Sequence, residues 1–381
     1  MSGMNFLERL LDGVGVEWKP LGEVTKYEQP TKYLVQSTNY SDDFATPVLT
    51  AGKTFILGYT DEINGIYRAS KTPVIIFDDF TTANKWVDFD FKAKSSAMKM
   101  ITSINDSKFI LKYVYYWLNT LPIELVDGDH KRQWISNFCN KKIPIPCPEN
   151  PDRSLAIQAE IVRILDTFTA LTAELTAELT AELSDRQKQY NYYRDRLLTF
   201  EKGEVEWKTL GEVYKFQYGM GNTIPTLGGE YPVYGSNGIV GTHNEFNSED
   251  SPVIGHIGAY AGIVNWGAGK HFVTYNGVIC KLINKLVHPK YAYYQLLKQD
   301  FNSMAKSASH PFVSYDALNK VSVPIPPPAE QARIVAILGK FDTLTTSIRE
   351  GLPREIALRQ KQYEYYRDLL LTFPKPEDVE A

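Results

Sequence analysis

The sequence predicts an α+β protein: two mixed α/β domains related by pseudo-twofold symmetry and separated by an antiparallel pair of long coiled-coil helices. Three observations predict it. Short motifs occur twice in the same order, the stretches between them are dissimilar and strand-like, and two helical stretches carry matching apolar seams.

The duplication is the primary signal. VEWKPLGEV at Val16 to Val24 returns as VEWKTLGEV at Val205 to Val213, and RQKQYNYYRDRLLTF from Arg186 returns as RQKQYEYYRDLLLTF from Arg359. IPIPCP from Ile143 answers VPIPPP from Val323, and QAEIVRIL from Gln158 answers QARIVAIL from Gln331. Each half therefore runs marker, variable segment, Pro-rich hinge, long helix. The expected divisions are a first domain at 1–150, a central helix at 151–203, a second domain at 204–328 and a distal helix at 329–381. The two variable segments are similar in length but show no trustworthy alignment, so each half is expected to meet a different partner surface.

Both variable segments read as α/β or mainly β. TPVIIFDDF and KWVDFDFKAK alternate in strand fashion before a helical LKYVYYWLNTL. In the second half YPVYGSNGIVG, SPVIGHIGAYAGIVNW and HFVTYNGVICKL are Gly-punctuated strands, and YAYYQLLKQDFNSMA is helical.

The helices differ in kind. Gln158 to Phe200 spans about 65 Å as a single helix. Its seam runs through Ile161, Ile164, Leu165, Phe168, Leu171, Leu175, Leu179, Leu183, Tyr190, Tyr193 and Leu197. A shift of 173 residues lands on an apolar or aromatic side chain at every one of these positions, from Ile334 to Leu370. Matched layers predict that the two helices pair, and pairing about a pseudo-twofold axis makes them antiparallel. Gly351 and Pro353 are expected to kink or break the distal helix.

Composition narrows the function. With 381 residues, 43% of them hydrophobic, the chain can bury two or three cores. The N-terminal stretch has no uninterrupted apolar run, so neither a secretory signal nor a membrane span is expected. Cys139, Cys147 and Cys280 form no CxxC, which predicts no disulfide framework, no zinc site and a reducing cytoplasm. The net charge of -4 argues against a wholesale polyanion binder. Two windows free of acids soften that objection. Ser251 to Gln299 holds Lys270, Lys281, Lys285, Lys290 and Lys298, and Phe91 to Asn105 holds Lys92, Lys94 and Lys99. They read either as solvated strands and loops or as basic faces.

Catalytic signatures are missing. GMGNTIP and GAGKH lack the remaining elements of a phosphate loop, and the six histidines form no metal-ligand spacing. DFDFK at Asp88 to Lys92 has the spacing of some metal-dependent nuclease motifs, a pattern that an alternating strand also produces. No NPPY or DPPY tetrapeptide is present to hold an extruded base. No catalytic or metal residue is assigned, and a binding role is favoured.

Candidate nucleic-acid contacts are basic and polar residues on expected loops. GDHKRQWIS before the first hinge supplies His130, Lys131, Arg132 and Gln133, types that hold phosphate or pair with base edges. KSASHPFVSY supplies Lys306, Ser309 and His310 in the second half, with His310 offset from His130 by 180 residues. The first half adds the Lys26–Tyr27 pair, Lys53, Thr82, Asn84, Lys85, Lys92 and Lys94. The second adds Asn222, Ser236, Asn237, His256, Tyr260, Lys270 and Asn276. At any single position, a solvated loop residue is the competing reading.

Taken together, WKxLGE, the IPxP hinge followed by Gln-Ala-Glu/Arg-Ile-Val-x-Ile-Leu, and YYRDxLLTF resemble the HsdS specificity subunits of type I restriction and modification systems. The LTAELTAELTAEL run, Leu171 to Leu183, resembles the type IC group. The resemblance implies a non-catalytic subunit with two target-recognition domains that read a bipartite, asymmetric DNA sequence. It also implies two HsdM methyltransferase subunits, which hold S-adenosylmethionine, and HsdR motor-nuclease subunits in the restriction complex. No cofactor is expected on the chain itself. A stand-alone sequence-specific DNA-binding protein and a coiled-coil scaffold that binds proteins are the alternatives. Each Thr-Ala-Glu-Leu word adds about 6 Å of helix with a net drift of about 40°, so the run is expected to set the spacer between half-sites.

Overall fold

Why WK-LGEV recurs is visible in what the motif builds. The computed structural model describes residues 6–51, 54–122, 132–221, 224–225, 228–304 and 311–374. After α1 (Phe6–Leu11), the first motif forms strand β1 (Val16–Pro20), the single turn α2 (Leu21–Val24) and β2 (Thr25–Glu28). Leu21 and Val24 are wholly buried, which fixes the turn to its domain. The chain continues through β3 (Thr46–Leu49), β4 (Ile56–Thr60), β5 (Val74–Asp78), β6 (Asn84–Val87), β7 (Lys92–Ala93), β8 (Met98–Ser103), α3 (Leu111–Leu118), α4 (Gln133–Ser136) and β9 (Lys142–Pro146). The hinge strand β9 returns antiparallel to β1, with Val16 opposite Pro146. A two-stranded ribbon leaves each strand a free edge, where Pro144 and Pro146 need no N–H to donate.

The sheet order is β2-β8-β5-β6, with β4-β3-β7 as a second sheet. All five residues of β5 are buried, which is why it reads as an unbroken VIIF run instead of alternating. Ile75 and Phe77 enter one core, while Val74 and Ile76 enter another with Leu49, Phe91 and Met98.

The second half repeats this plan. After α5 (Pro151–Leu197) come β10 (Glu206–Thr209), α6 (Leu210–Val213), β11 (Tyr214–Tyr218), β12 (Tyr231–Gly235), β13 (Gly238–His243), β14 (Ser248–Gly255), β15 (Val264–Val273), β16 (Gly277–Leu282), α7 (Pro289–Lys298), α8 (Tyr315–Lys320), β17 (Ser322–Ile325) and α9 (Pro328–Leu370). β10 pairs antiparallel with β17, and the large sheet runs β11-β16-β14-β15-β12-β13. β3 is antiparallel to β4 and parallel to β7; β12 is antiparallel to β13 and parallel to β15. The two variable segments, which do not align as sequence, therefore share one topology.

The duplication also extends into those segments. KYVYYWL in α3 and KYAYYQL in α7 are equivalent helices. Tyr113 Oη donates to the Pro144 carbonyl at 2.7 Å, and Tyr291 Oη to the Pro324 carbonyl at 2.9 Å. The glutamine of QAxIVxIL has a matching task in each half. Gln158 accepts from Ile110 N–H and donates to the Lys108 carbonyl; Gln331 accepts from His288 N–H and donates to the Leu286 carbonyl. Both glutamines are buried, and they satisfy backbone groups at the start of α3 and of α7 respectively.

The chain divides into two compact units, residues 1–177 with 355–381 and residues 178–354. Each unit thus holds one domain and a segment of both long helices, where the sequence divisions set the helices apart. In unit 1, Phe168 stacks on Tyr366 at 5.9 Å and Thr169 Oγ1 donates to Tyr363 Oη. In unit 2, Tyr193 stacks on Phe341 at 5.7 Å and Tyr190 Oη donates to Asp342. Within each unit the helix segments run antiparallel, and the 173-residue shift maps Phe168 onto Phe341 and Tyr193 onto Tyr366. Ile161 and Leu165 are wholly buried in unit 1, as are Ile334 and Leu338 in unit 2, each contributing about 1.5–3 kcal/mol of apolar burial.

Two expectations are corrected here. Of the kink or break expected at Gly351 and Pro353, the break is absent: α9 is helical through both, since proline already has a helical φ and the rest of the helix is held by its other hydrogen bonds. Leu171 does not sit in a closed seam but is 56% exposed, whereas Leu175, Leu179 and Leu183, at the same four-residue spacing, are half-buried. No helix among the described residues is long and apolar enough to cross a membrane.

Candidate nucleic-acid interface

In unit 2 a rim of loops gathers at one end of the sheet. Ser236 Oγ, in the β12–β13 turn, donates to the carbonyls of Ile257 and Asn276. His256 N–H donates to the Asn276 carbonyl, and its own carbonyl accepts Val313 N–H at 3.0 Å. Gly258 N–H donates to the Pro311 carbonyl. A Cβ on Gly255 would lie 2.4 Å from the Tyr260 carbonyl and 2.5 Å from that of Ser236, so only glycine allows the loops to close this tightly. Residues 236–237, 256–260, 274–276 and 311–315, far apart in sequence, form one surface.

Aromatic rings fill its centre. Tyr218 stacks on Tyr315 at 4.1 Å, and its ring lies 4.3 Å from His256 and 5.8 Å from Tyr275. Burial holds the His256 pKa below the ordinary histidine value, so the ring is neutral at pH 7. Its Nδ1 is 3.1 Å from the Val313 carbonyl, which can only accept, so Nδ1 carries the proton. Asn237 and Tyr260 stand out to solvent, as does Lys270 with its ammonium 4.6 Å from the Phe246 ring.

Unit 1 forms the equivalent rim after β5. Asp78 caps its own turn, accepting from Phe80 N–H and from Thr81 Oγ1. Asp79 occupies the position of His256: its carbonyl accepts Gln133 N–H at 2.9 Å, and Gln133 precedes Val313 by the same 180 residues that separate the two histidines of the sequence motifs. Arg132, Lys85, Lys94 and Lys26 are exposed around this domain, with Tyr27 beside Lys26. Lys94 lies 5.7 Å from the Tyr40 ring.

Several sequence-assigned contacts are corrected by burial. Lys92 is 3% exposed; its ammonium pairs with Glu62 at 2.7 Å and donates to the Asn64 carbonyl. Thr82 is buried at φ +62° in the Asp78 turn, Gln133 is buried in α4, and His256 is buried among the tyrosines. Ser236 and Asn84 are half-buried, Ser236 tying loops together and Asn84 accepting from Asn119. Asn276 lends its carbonyl to the rim. Lys53, His130, Lys131, Asn222, Lys306, Ser309 and His310 lie outside the described residues. In the acid-free window from Ser251 to Gln299, Lys290 and Lys298 are half-buried, with burial lowering both pKa values, so that window is not a continuous basic face.

The nuclease-like DFDFK stretch is structural. Asp90 accepts from Arg68 and Ser70 and is pulled down to about 2 by those bonds, while Asp88 accepts from Trp86 Nε1. Among the described residues no three His, Cys, Asp or Glu side chains group as a metal site. Sequence reasoning missed Tyr218, Tyr275 and Tyr315, whose clustering depends on loop closure, and it missed Asp79.

Two like-folded heads, each displaying differently furnished loops at the end of its central strand, define a double-headed recognition protein. The comparisons agree with that class. Residues 14–185 and 202–358 match the family model for the type I restriction modification DNA specificity domain. The chain is 55% identical to the type I restriction enzyme EcoR124I/EcoR124II specificity subunit of Escherichia coli, across 100% of both chains. It is 34% identical to the EcoprrI specificity subunit of the same organism, over 92% of this chain and 93% of that one. Its fold matches that of a chain from a type I restriction-modification complex, at a TM-score of 0.65 and 17% identity, covering 94% of this chain and 97% of that one. It also matches the S subunit from M. genitalium, at 0.52 and 18%, covering 96% and 98%. The chain belongs to the type I restriction-modification specificity subunit family. Its role is DNA specificity, and it is a non-catalytic subunit.

Proposed function

We propose that this chain reads a bipartite, asymmetric DNA target, one half-site through each unit, and assembles with two HsdM methyltransferase subunits and, for restriction, with HsdR subunits. S-adenosylmethionine binds on HsdM, not on this chain, and the complex works in the cytoplasm. The observation that carries the reading is the equivalence of the two rims: the same backbone position after the central strand is Asp79 in one unit and His256 in the other. Equal scaffolds with unlike surfaces are what two unrelated half-sites require, because sequence is read by side chains at base edges. The Thr-Ala-Glu-Leu words, the mark of a type IC-like subunit, set the spacer.

Co-expression with its methyltransferase subunits in a host lacking adenine methylation, followed by mapping of methylated adenines, tests this. One motif of two fixed blocks around a constant spacer is expected. Methylation at a single uninterrupted block, or the same motif without this chain, overturns it.

A further inference from the structure

We propose that Asp79 is a positioning residue that aims Arg132 at a guanine in the half-site read by unit 1; the inference rests on the DNA-reading function above. Asp79 is wholly buried directly after β5. Its carbonyl takes Gln133 N–H and its Oδ1 takes Trp134 N–H, each at 2.9 Å, so the backbone just beyond Arg132 is pinned twice. Trp134 is itself buried, 5.1 Å from the Phe77 ring. The second carboxylate oxygen, Oδ2, has no hydrogen-bond partner, and two cations face it at 3.5 Å: Lys99 Nζ and Arg132 Nη1.

The charges have no counterpart in unit 2. There the same latch is made by neutral His256, and the strand partner matching Lys99 is Val278: Lys99 lies opposite Phe77 as Val278 lies opposite Ile254. Holding the segment therefore needs no ion pair. What the charged version adds in unit 1 is positive charge beside the carboxylate, carried by Lys99 and Arg132. Lys99, with its side chain 1% exposed, cannot deliver that charge to a ligand, whereas Arg132, at 44%, can. An arginine oriented from beneath by a buried carboxylate has less freedom to lose on binding. Its preferred base partner in the major groove is guanine, through O6 and N7.

The test uses the purified complex with its methyltransferase subunits and a panel of duplexes in which each base pair of both half-sites is replaced in turn. Arg132→Ala, at an exposed position, is expected to lower discrimination at one guanine of one half-site by about tenfold or more, leaving the other half-site unchanged. Asp79→Asn/Lys99→Met, which removes the buried pair together, is expected to relax the same base pair. A uniform loss across all duplexes for Arg132→Ala would make it a phosphate contact and overturn the inference. So would an unchanged specificity profile, or a guanine preference retained by the double variant. Absence of a bipartite site in the wild-type complex would instead overturn the function on which the inference rests.

Discussion

Lys92 and Lys94 are two residues apart in one strand-like stretch, yet only Lys94 is exposed. The reason is Glu62, which the sequence places thirty residues away and the fold places 2.7 Å from the Lys92 ammonium. Glu62 also accepts from the N–H groups of Ser37 and Gln36; the Lys92 bond first, and these after it, hold its pKa below the usual carboxylate range. Nothing local announces such a pairing, and for this reason burial of single lysines was not legible. Asp90 follows the same logic, and its titration gives a prediction. Its folded pKa is about 2 against an ordinary 3.8, so the folded state favours the ionised form. The stabilisation is fully present above about pH 4 and is lost as pH falls toward 2. Urea midpoints measured between pH 5 and pH 2 are expected to fall less steeply for Asp90→Asn than for the wild type; parallel curves would refute this.

At the level of elements, the frame was readable because its motifs have to make the same contacts twice. Gln158 and Gln331 each satisfy backbone at the start of α3 or α7, and LGEV buries the same Leu and Val in each half. The common topology of the inserts was not readable, because its pairings are met by unlike residues, Lys99 opposite Phe77 in one half and Val278 opposite Ile254 in the other. The KYxYYxL helices were legible and passed over, since each was weighed alone. Gln331→Ala orphans the His288 N–H, the buried Pro326 carbonyl and the part-buried Leu286 carbonyl. A loss of about 3 kcal/mol is expected by equilibrium unfolding. Pro353 acts oppositely. It is exposed within α9, so Pro353→Ala restores a hydrogen bond without disturbing packing. A gain of about 1–2 kcal/mol is expected once the greater freedom of the unfolded chain is deducted, read as a rise in denaturant midpoint.

At the scale of the whole molecule, the repeat matters because α5 is a single helix from Pro151 to Leu197 and the boundary between the units, at Ala177, falls inside Leu171 to Leu183. Whatever changes the length of that run changes a continuous element that both units share. Removing Thr180 to Leu183 shortens it by about 6 Å and turns the downstream residues by about 400°, leaving them about 40° from their original face. Tyr190 and Tyr193 would still reach Asp342 and Phe341, the contacts that order unit 2. Since neither rim is touched, both half-sites should survive. At about 3.4 Å per base pair along one strand, 6 Å corresponds to one or two base pairs of spacer. The expected methylation map therefore keeps both blocks and shortens the gap between them. Removing only Thr180 and Ala181 separates length from phase: it turns the downstream helix by about 200° and sets those tyrosines on the opposite face. That variant is expected to lose methylation altogether, although it is the smaller deletion. An unchanged spacer after the four-residue deletion, or a two-residue deletion that works as well, would show that the run is not what sets the distance.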